Sequence, residues 1–146
     1  MVEFRFDQTA ENDFERLLAL RLLVMRPHLE RVGRFSVERA TARFRGNFVA
    51  EHMRLVSVES ELAGCVALLP DEIGWELSNF YLYPAHQGRG LGSAIVTALT
   101  AEADAKMMVL HLQVLRQSPA VRFYERHGFV HTHDDDTDHY YRRTPK

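Results

Sequence analysis

The sequence predicts a mixed α/β (α+β) fold, with a central sheet of about seven strands flanked by about four helices. Three observations lead there. Stretches with apolar and polar residues in alternation read as strands, and stretches with apolar residues three and four apart read as helices. The two kinds interleave along the 146 residues rather than segregating into halves. A glycine-rich turn, His86-Gln-Gly-Arg-Gly-Leu-Gly-Ser93, sits where a strand pattern hands over to a helical one. A chain of this length buries about two thirds of its unfolded surface in one core, so a single domain over residues 1–146 is expected.

The elements follow in order. Val2 to Asp7 alternates and reads as the first strand. Thr9 can cap a helix whose first turn carries Glu11 and Asp13, and Phe14, Leu17, Leu18, Leu22 and Met25 carry it to about Arg26, where Pro27 stops or kinks it. A polar connection, Arg26 to Phe35, leads to a shorter helix capped by Ser36, carried by Val37, Ala40 and Phe44 and closed by Gly46. Arg54 to Glu59 and Leu62 to Leu69 form a hairpin about Ser60-Glu61, and Ile73 to Tyr83 adds a strand. Leu91, Ala94, Ile95, Ala98 and Leu99 make a helix to about Ala105, and Met108 to Leu115 alternates as a strand. Ser118 as cap, Pro119 at the first helical position and Gly128 past the end frame a helix of about ten residues. Phe129 to His133 and His139 to Arg143 close the chain as two strands.

Composition narrows the function. A net charge of −2, with no basic stripe and no cationic amphipathic helix, argues against a nucleic-acid or membrane partner. No apolar run approaches the roughly 18 residues that span a bilayer, and the N-terminus lacks the apolar core of a signal peptide. The single cysteine, Cys65, lies in an apolar run and reads as a buried, inert thiol of a reducing compartment, so a cytoplasmic location is expected.

The glycine turn carries the chemistry. A helix that opens behind it leaves its first N–H groups without intrahelical partners, the helix dipole adds roughly half a positive charge there, and Arg89 adds a whole one. The guest that fits is a phosphate or pyrophosphate, although the same letters also make a tight turn with no ligand. The glycines run Gly88, Gly90, Gly92, which is neither the dinucleotide fingerprint nor the phosphate loop of nucleotide hydrolases.

Read as Gln87-x-x-Gly90-x-Gly92 after Glu76 to Tyr83 and Pro84, the stretch resembles the acyl-CoA loop of the GNAT superfamily of N-acetyltransferases. A second landmark agrees: Gln117-Ser-Pro-Ala120-Val-Arg-Phe-Tyr124, ending in Gly128-Phe129, is similar to that family's Asn-x-x-Ala-x-x-x-Tyr segment, with Gln117 where the family usually has asparagine. The order of elements matches as well, so the resemblance covers nearly the whole chain. It implies a largely antiparallel sheet and transfer of acetyl from acetyl-CoA to a primary amine of a small molecule, amino acid or peptide, in a ternary complex. The alternative is a CoA-binding sensor or interaction subunit of the same fold without turnover.

By the same resemblance, Gln87, Gly88, Arg89, Gly90, Leu91, Gly92 and Ser93 grip the CoA pyrophosphate. The main chain of Phe80, Tyr81 and Leu82 pairs with the pantetheine amides, and Gln117, Ala120 and Tyr124 stand along that arm. Tyr124 is implied as the general acid for the leaving thiolate; by composition alone it is a half-buried core tyrosine. Glu76 is the carboxylate placed to take the amine proton, or equally a salt-bridged surface residue. Met25, Arg26, His28, Phe35, Trp75 and Asn79 are expected to line the acceptor site, with a solvated loop as the rival reading of Arg26 to Phe35. His131, His133, Asp134 to Asp136 and His139 offer ligands for a metal, but a polar hairpin tip explains the same letters, and no metal cofactor is expected. The chain is expected as a monomer or homodimer.

Overall fold

In the computed structural model, residues 2–31, 33 and 35–146 are described. They form β1 (Arg5–Gln8), α1 (Phe14–Arg31), α2 (Val37–Asn47), β2 (Met53–Val58), β3 (Glu61–Pro70), β4 (Trp75–Leu82), α3 (Leu91–Ala105), β5 (Leu110–Leu115), α4 (Ala120–Arg126), β6 (Val130–Asp134) and β7 (Asp138–Arg143). The strands make one seven-stranded, largely antiparallel sheet in the order β1-β2-β3-β4-β5-β7-β6, with a parallel β4–β5 pair. By its contacts the chain forms two compact units, Glu3–Ala67 with Asn79–Gly88, and Leu68–Ser78 with Arg89–Lys146. Among the described residues no helix is long and apolar enough to cross a membrane.

The first unit holds β1, β2, most of β3, the second half of β4, and helices α1 and α2. β2 and β3 are joined at Glu59 and Ser60, both in the left-handed region (φ 51° and 67°), the backbone twist that a two-residue hairpin demands. Phe14 of α1 and Phe44 of α2 stack at 5.3 Å and both rings meet Phe48, so the buried stripes of the two helices share one aromatic cluster. Gly64 in β3 is required by close approach: a Cβ there would overlap the Tyr81 carbonyl oxygen and come within 2.8 Å of Leu82 Cδ2.

The second unit holds the start of β4, strands β5 to β7, and helices α3 and α4. Leu91, Ile95, Val96, Leu99 and Ala103 form the buried stripe of α3. In its last turn, Asp104 is gripped by Arg143 of β7 with two hydrogen bonds, 2.8 and 3.0 Å, which with the Lys146 N–H hold the Asp104 carboxyl down to about 2.

Several boundaries differ from those read in the sequence. α1 runs through Pro27 to Arg31 rather than ending near Arg26. Proline removes one helical donor, and the following turn is knit by the Arg26–Glu30 ion pair (3.1 Å) and by Arg31 donating to His28 Nδ1 (3.2 Å). The connection is correspondingly short, and its Val32 and Arg34 lie outside the described residues. Thr9 is not the cap of α1: its hydroxyl is buried without a partner among the described residues, and the Asp13 carboxylate receives the Ala10 N–H at 2.8 Å. Ser36 caps α2 as expected, accepting from the Arg39 N–H, but Gly46 stays within the helix. Pro119 is the N-cap of α4 rather than its first residue, with the Ser118 hydroxyl accepting from the Ala120 N–H (3.1 Å). The first strand begins at Arg5, not Val2.

Candidate active site

The turn that opens α3 takes its shape from glycine. Gly88 and Gly90 sit at φ +72° and +83°, where side chains other than glycine's are strained, and nothing crowds a Cβ at Gly88. Gly90 is the N-cap of α3, and Ala94 is the first residue whose N–H reaches a helical carbonyl, that of Gly90 (3.1 Å). The N–H groups of Leu91, Gly92 and Ser93 therefore precede the hydrogen-bonded ladder. Gln87, Gly88, Arg89 and Gly90 are exposed, whereas the Leu91 side chain is buried and leaves that residue only its main chain to offer. Two side chains are already engaged: Gln87 donates to the Leu82 carbonyl (2.9 Å), and Ser93 pairs with His127 Nε2 (3.0 Å).

In the first unit, β4 holds Asn79 at φ +48°, a left-handed residue inside the strand. Its pairing with β5 is confined to Trp75–Leu110 and Glu76–His111, before that residue. The Asn79 carbonyl receives the Cys65 thiol (3.3 Å); burial pushes that thiol up to about 12, so it forms no thiolate nucleophile at neutral pH. Tyr81 is buried too, its phenol pushed up to about 12, and a cofactor could meet only its main chain.

Sequence reasoning missed Arg21. It is 8% exposed, and its Nη1 donates to the Tyr81 hydroxyl and to Asn79 Oδ1 (3.5 Å). No carboxylate pairs with it among the described residues, while Phe44 and Tyr81 present their ring faces to it at 5.9 and 5.8 Å. The available signal was a charged residue on the buried stripe Phe14, Leu17, Arg21. Met25 and His28 follow Arg21 at helical spacing on the same face of α1, and burial, with Arg31 beside it, lowers the His28 pKa. Arg26 lies apart from that face, stacked over Phe35 at 4.8 Å.

In the second unit, Glu76 of β4 and His111 of β5 are parallel neighbours on one face of the sheet. His111 Nε2 pairs with Asp71 Oδ2 at 2.7 Å. Burial raises the Glu76 pKa, the His111 charge opposes and the Asp71 charge adds, which moves this carboxyl toward the range of a base working near neutral pH. Trp75 points to the other face, over Lys106 at 5.6 Å beside the C-terminal end of α3, the opposite end from the glycine turn. Tyr124, in α4, is 9% exposed and packs edge-on against Phe123 and Phe129 (5.1 and 5.7 Å). Ala120 begins α4, and Gln117 lies in the preceding turn at φ +71°. Asparagine occupies that left-handed region more readily than glutamine does.

Residues 45–131, more than half of the chain, match the profile of the acetyltransferase (GNAT) domain. A comparison with curated protein sequences finds no match. Among solved structures, the fold is similar to the PaiA N-acetyltransferase of Thermoplasma acidophilum in complex with coenzyme A (TM-score 0.76, 19% identity, 98% of this chain and 99% of that one). It is also similar to an acetyltransferase of Thermus thermophilus (TM-score 0.74, 20% identity, 98% and 97%). A third likeness is to the N-acetylglutamate synthase of Neisseria gonorrhoeae complexed with coenzyme A and L-arginine (TM-score 0.69, 15% identity, 99% of this chain and 34% of that one).

Proposed function

The chain belongs to the GNAT acetyltransferase family, and from that premise we propose that it transfers the acetyl group of acetyl-CoA to a primary amine of a small molecule, amino acid or peptide. The observation that carries this reading is the exposed turn Gln87–Gly90, with two left-handed glycines aiming main-chain donors at the start of α3. A pyrophosphate is the anion of matching chemistry there, with Arg89 as its exposed cation. Gln87 acts on this site through the Leu82 carbonyl, tying the turn to the end of β4.

In the reaction, the amine nitrogen bonds to the thioester carbonyl carbon and the C–S bond breaks. Glu76 takes the proton the amine must lose, directly or through a water, and the raised pKa of its carboxyl supports that role. The developing oxyanion is met by a main-chain N–H of β4, and Tyr124 gives its phenolic proton, or a hydrogen bond, to the departing sulfur. Met25, His28 and Asn79 share a unit with Arg21 and line the acceptor side in this reading; Arg26 and Phe35 add a second, exposed part.

The test is acetyl-CoA binding followed by a screen of amines, polyamines, amino acids, aminoglycosides and peptides for CoA release, in wild type and Tyr124→Phe. Acetyl-CoA is expected to raise the melting temperature of both proteins alike, while turnover of the best acceptor falls by roughly a hundredfold in the variant. A melting shift with no CoA release from any amine is the signature of the non-catalytic CoA-binding alternative. Wild-type turnover in Tyr124→Phe, with chemistry rate-limiting, removes the acid role.

A further inference from the structure

The β6–β7 hairpin carries a side-chain cluster that the acetyl-transfer chemistry does not use. On a regular strand residues three apart face opposite sides, so His131 and Asp134 should part and His131 should instead keep company with His133. The ladder slips between His131 and His133: His131 stands opposite Tyr141, His133 opposite Tyr140 and Asp134 opposite His139. Thr132 is the extra residue of this bulge, and its hydroxyl donates to the Tyr140 carbonyl (3.2 Å). A bulge re-aims the side chains on either side of it. His133 turns to the far face and stacks flat on Tyr140, centroids 4.3 Å apart. His131, Asp134 and His139 converge on the other face, with the Tyr141 ring 5.4 Å from that of His131.

The convergence is tight. His131 Nε2 and His139 Nδ1 each lie 2.6 Å from the same oxygen, Asp134 Oδ1. One donor atom from each residue falls within 4.8 Å of the others.

We propose that His131, Asp134 and His139 form a binding site for a divalent transition-metal ion of the zinc, nickel, cobalt or copper kind. Two imidazoles and one carboxylate are donors these ions accept, whereas calcium and magnesium favour all-oxygen shells. Bonds of about 2.0–2.1 Å in a tetrahedron need donor atoms about 3.3 Å apart, so the carboxylate oxygen backs away slightly and the imidazoles close in. All three side chains are partly exposed, at 45%, 35% and 27%, and free to make that adjustment. Water completes the shell. Bound there, the ion joins β6, an edge strand exposed along its whole length, to its neighbour β7.

The test is calorimetric titration of zinc chloride into the full chain free of any polyhistidine tag, repeated with cobalt(II) and its visible absorption. One ion per chain is expected, at a dissociation constant on the order of 10 μM or tighter, with the strong visible bands of four-coordinate cobalt. Asp134→Asn and His139→Gln should each weaken binding at least tenfold, and His133→Asn, outside the cluster, should leave it unchanged. Circular dichroism of the variants without metal keeps a loss of binding separate from a loss of fold. Absence of one-to-one binding tighter than about 100 μM, or undiminished binding in both cluster variants, overturns the proposal.

Discussion

Glu76 is where a single residue decides between two chemistries. Burial raises its pKa, with His111 opposing and Asp71 adding to the shift, so a base there should titrate above the ordinary glutamate value. With Glu76 as base, the rate rises with pH through that carboxyl's apparent pKa, and Glu76→Gln removes the limb. With bulk solvent taking the proton, the limb follows the acceptor's own pKa. Rate profiles for two acceptors of different basicity, in wild type and Glu76→Gln, separate these; a limb that tracks the acceptor and survives the mutation assigns Glu76 to structure. Arg21 makes the opposite lesson at this scale. Its charge is buried against a phenol and an amide, and although helical spacing puts position 21 on the stripe of Phe14 and Leu17, only the fold reveals those two partners.

At the scale of elements, β3 and β4 are held in register by an absence of side chain. Gly64 admits the Tyr81 carbonyl where any Cβ would overlap it. Gly64→Ala should push the Phe80–Leu82 segment away from β3, costing about 1–3 kcal/mol of stability by overpacking and weakening acetyl-CoA binding more than it weakens the fold. Denaturant unfolding together with acetyl-CoA titration checks this. Unchanged affinity in a destabilised variant means the main chain of that segment does not hold the cofactor. The left-handed Asn79 works on the same strand. It lies three residues beyond the last β4–β5 pair, Glu76 with His111, and no period-two pattern predicts a left-handed residue within a strand.

At the scale of the whole molecule, pH tests the ion pair that ties β7 to the end of α3. Arg143, aided by the Lys146 N–H, holds Asp104 down to about 2, below the unfolded carboxylate value of roughly 3.9. A lowered folded pKa gives stability that is complete above the unfolded value and is lost as pH falls through the folded one. Thermal melts should therefore decline from about pH 4 toward pH 2, and Asp104→Asn should show a shallower decline over that window. Glu76 runs the other way, since burial raises its pKa and its ionisation on going up in pH costs stability. The sequence by itself determined the order of elements, the position of the glycine turn and the family, because periodicity, capping and positive-φ glycines are local properties of neighbouring residues. Only the tertiary structure decided which side chains meet. The bulge at Thr132 moves His131 from His133 to Asp134 and His139, and Pro27 leaves α1 long enough to align Arg21, Met25 and His28. Both outcomes depend on strand register and helix continuation, which are set by partners distant in the chain and leave no mark on the residues concerned.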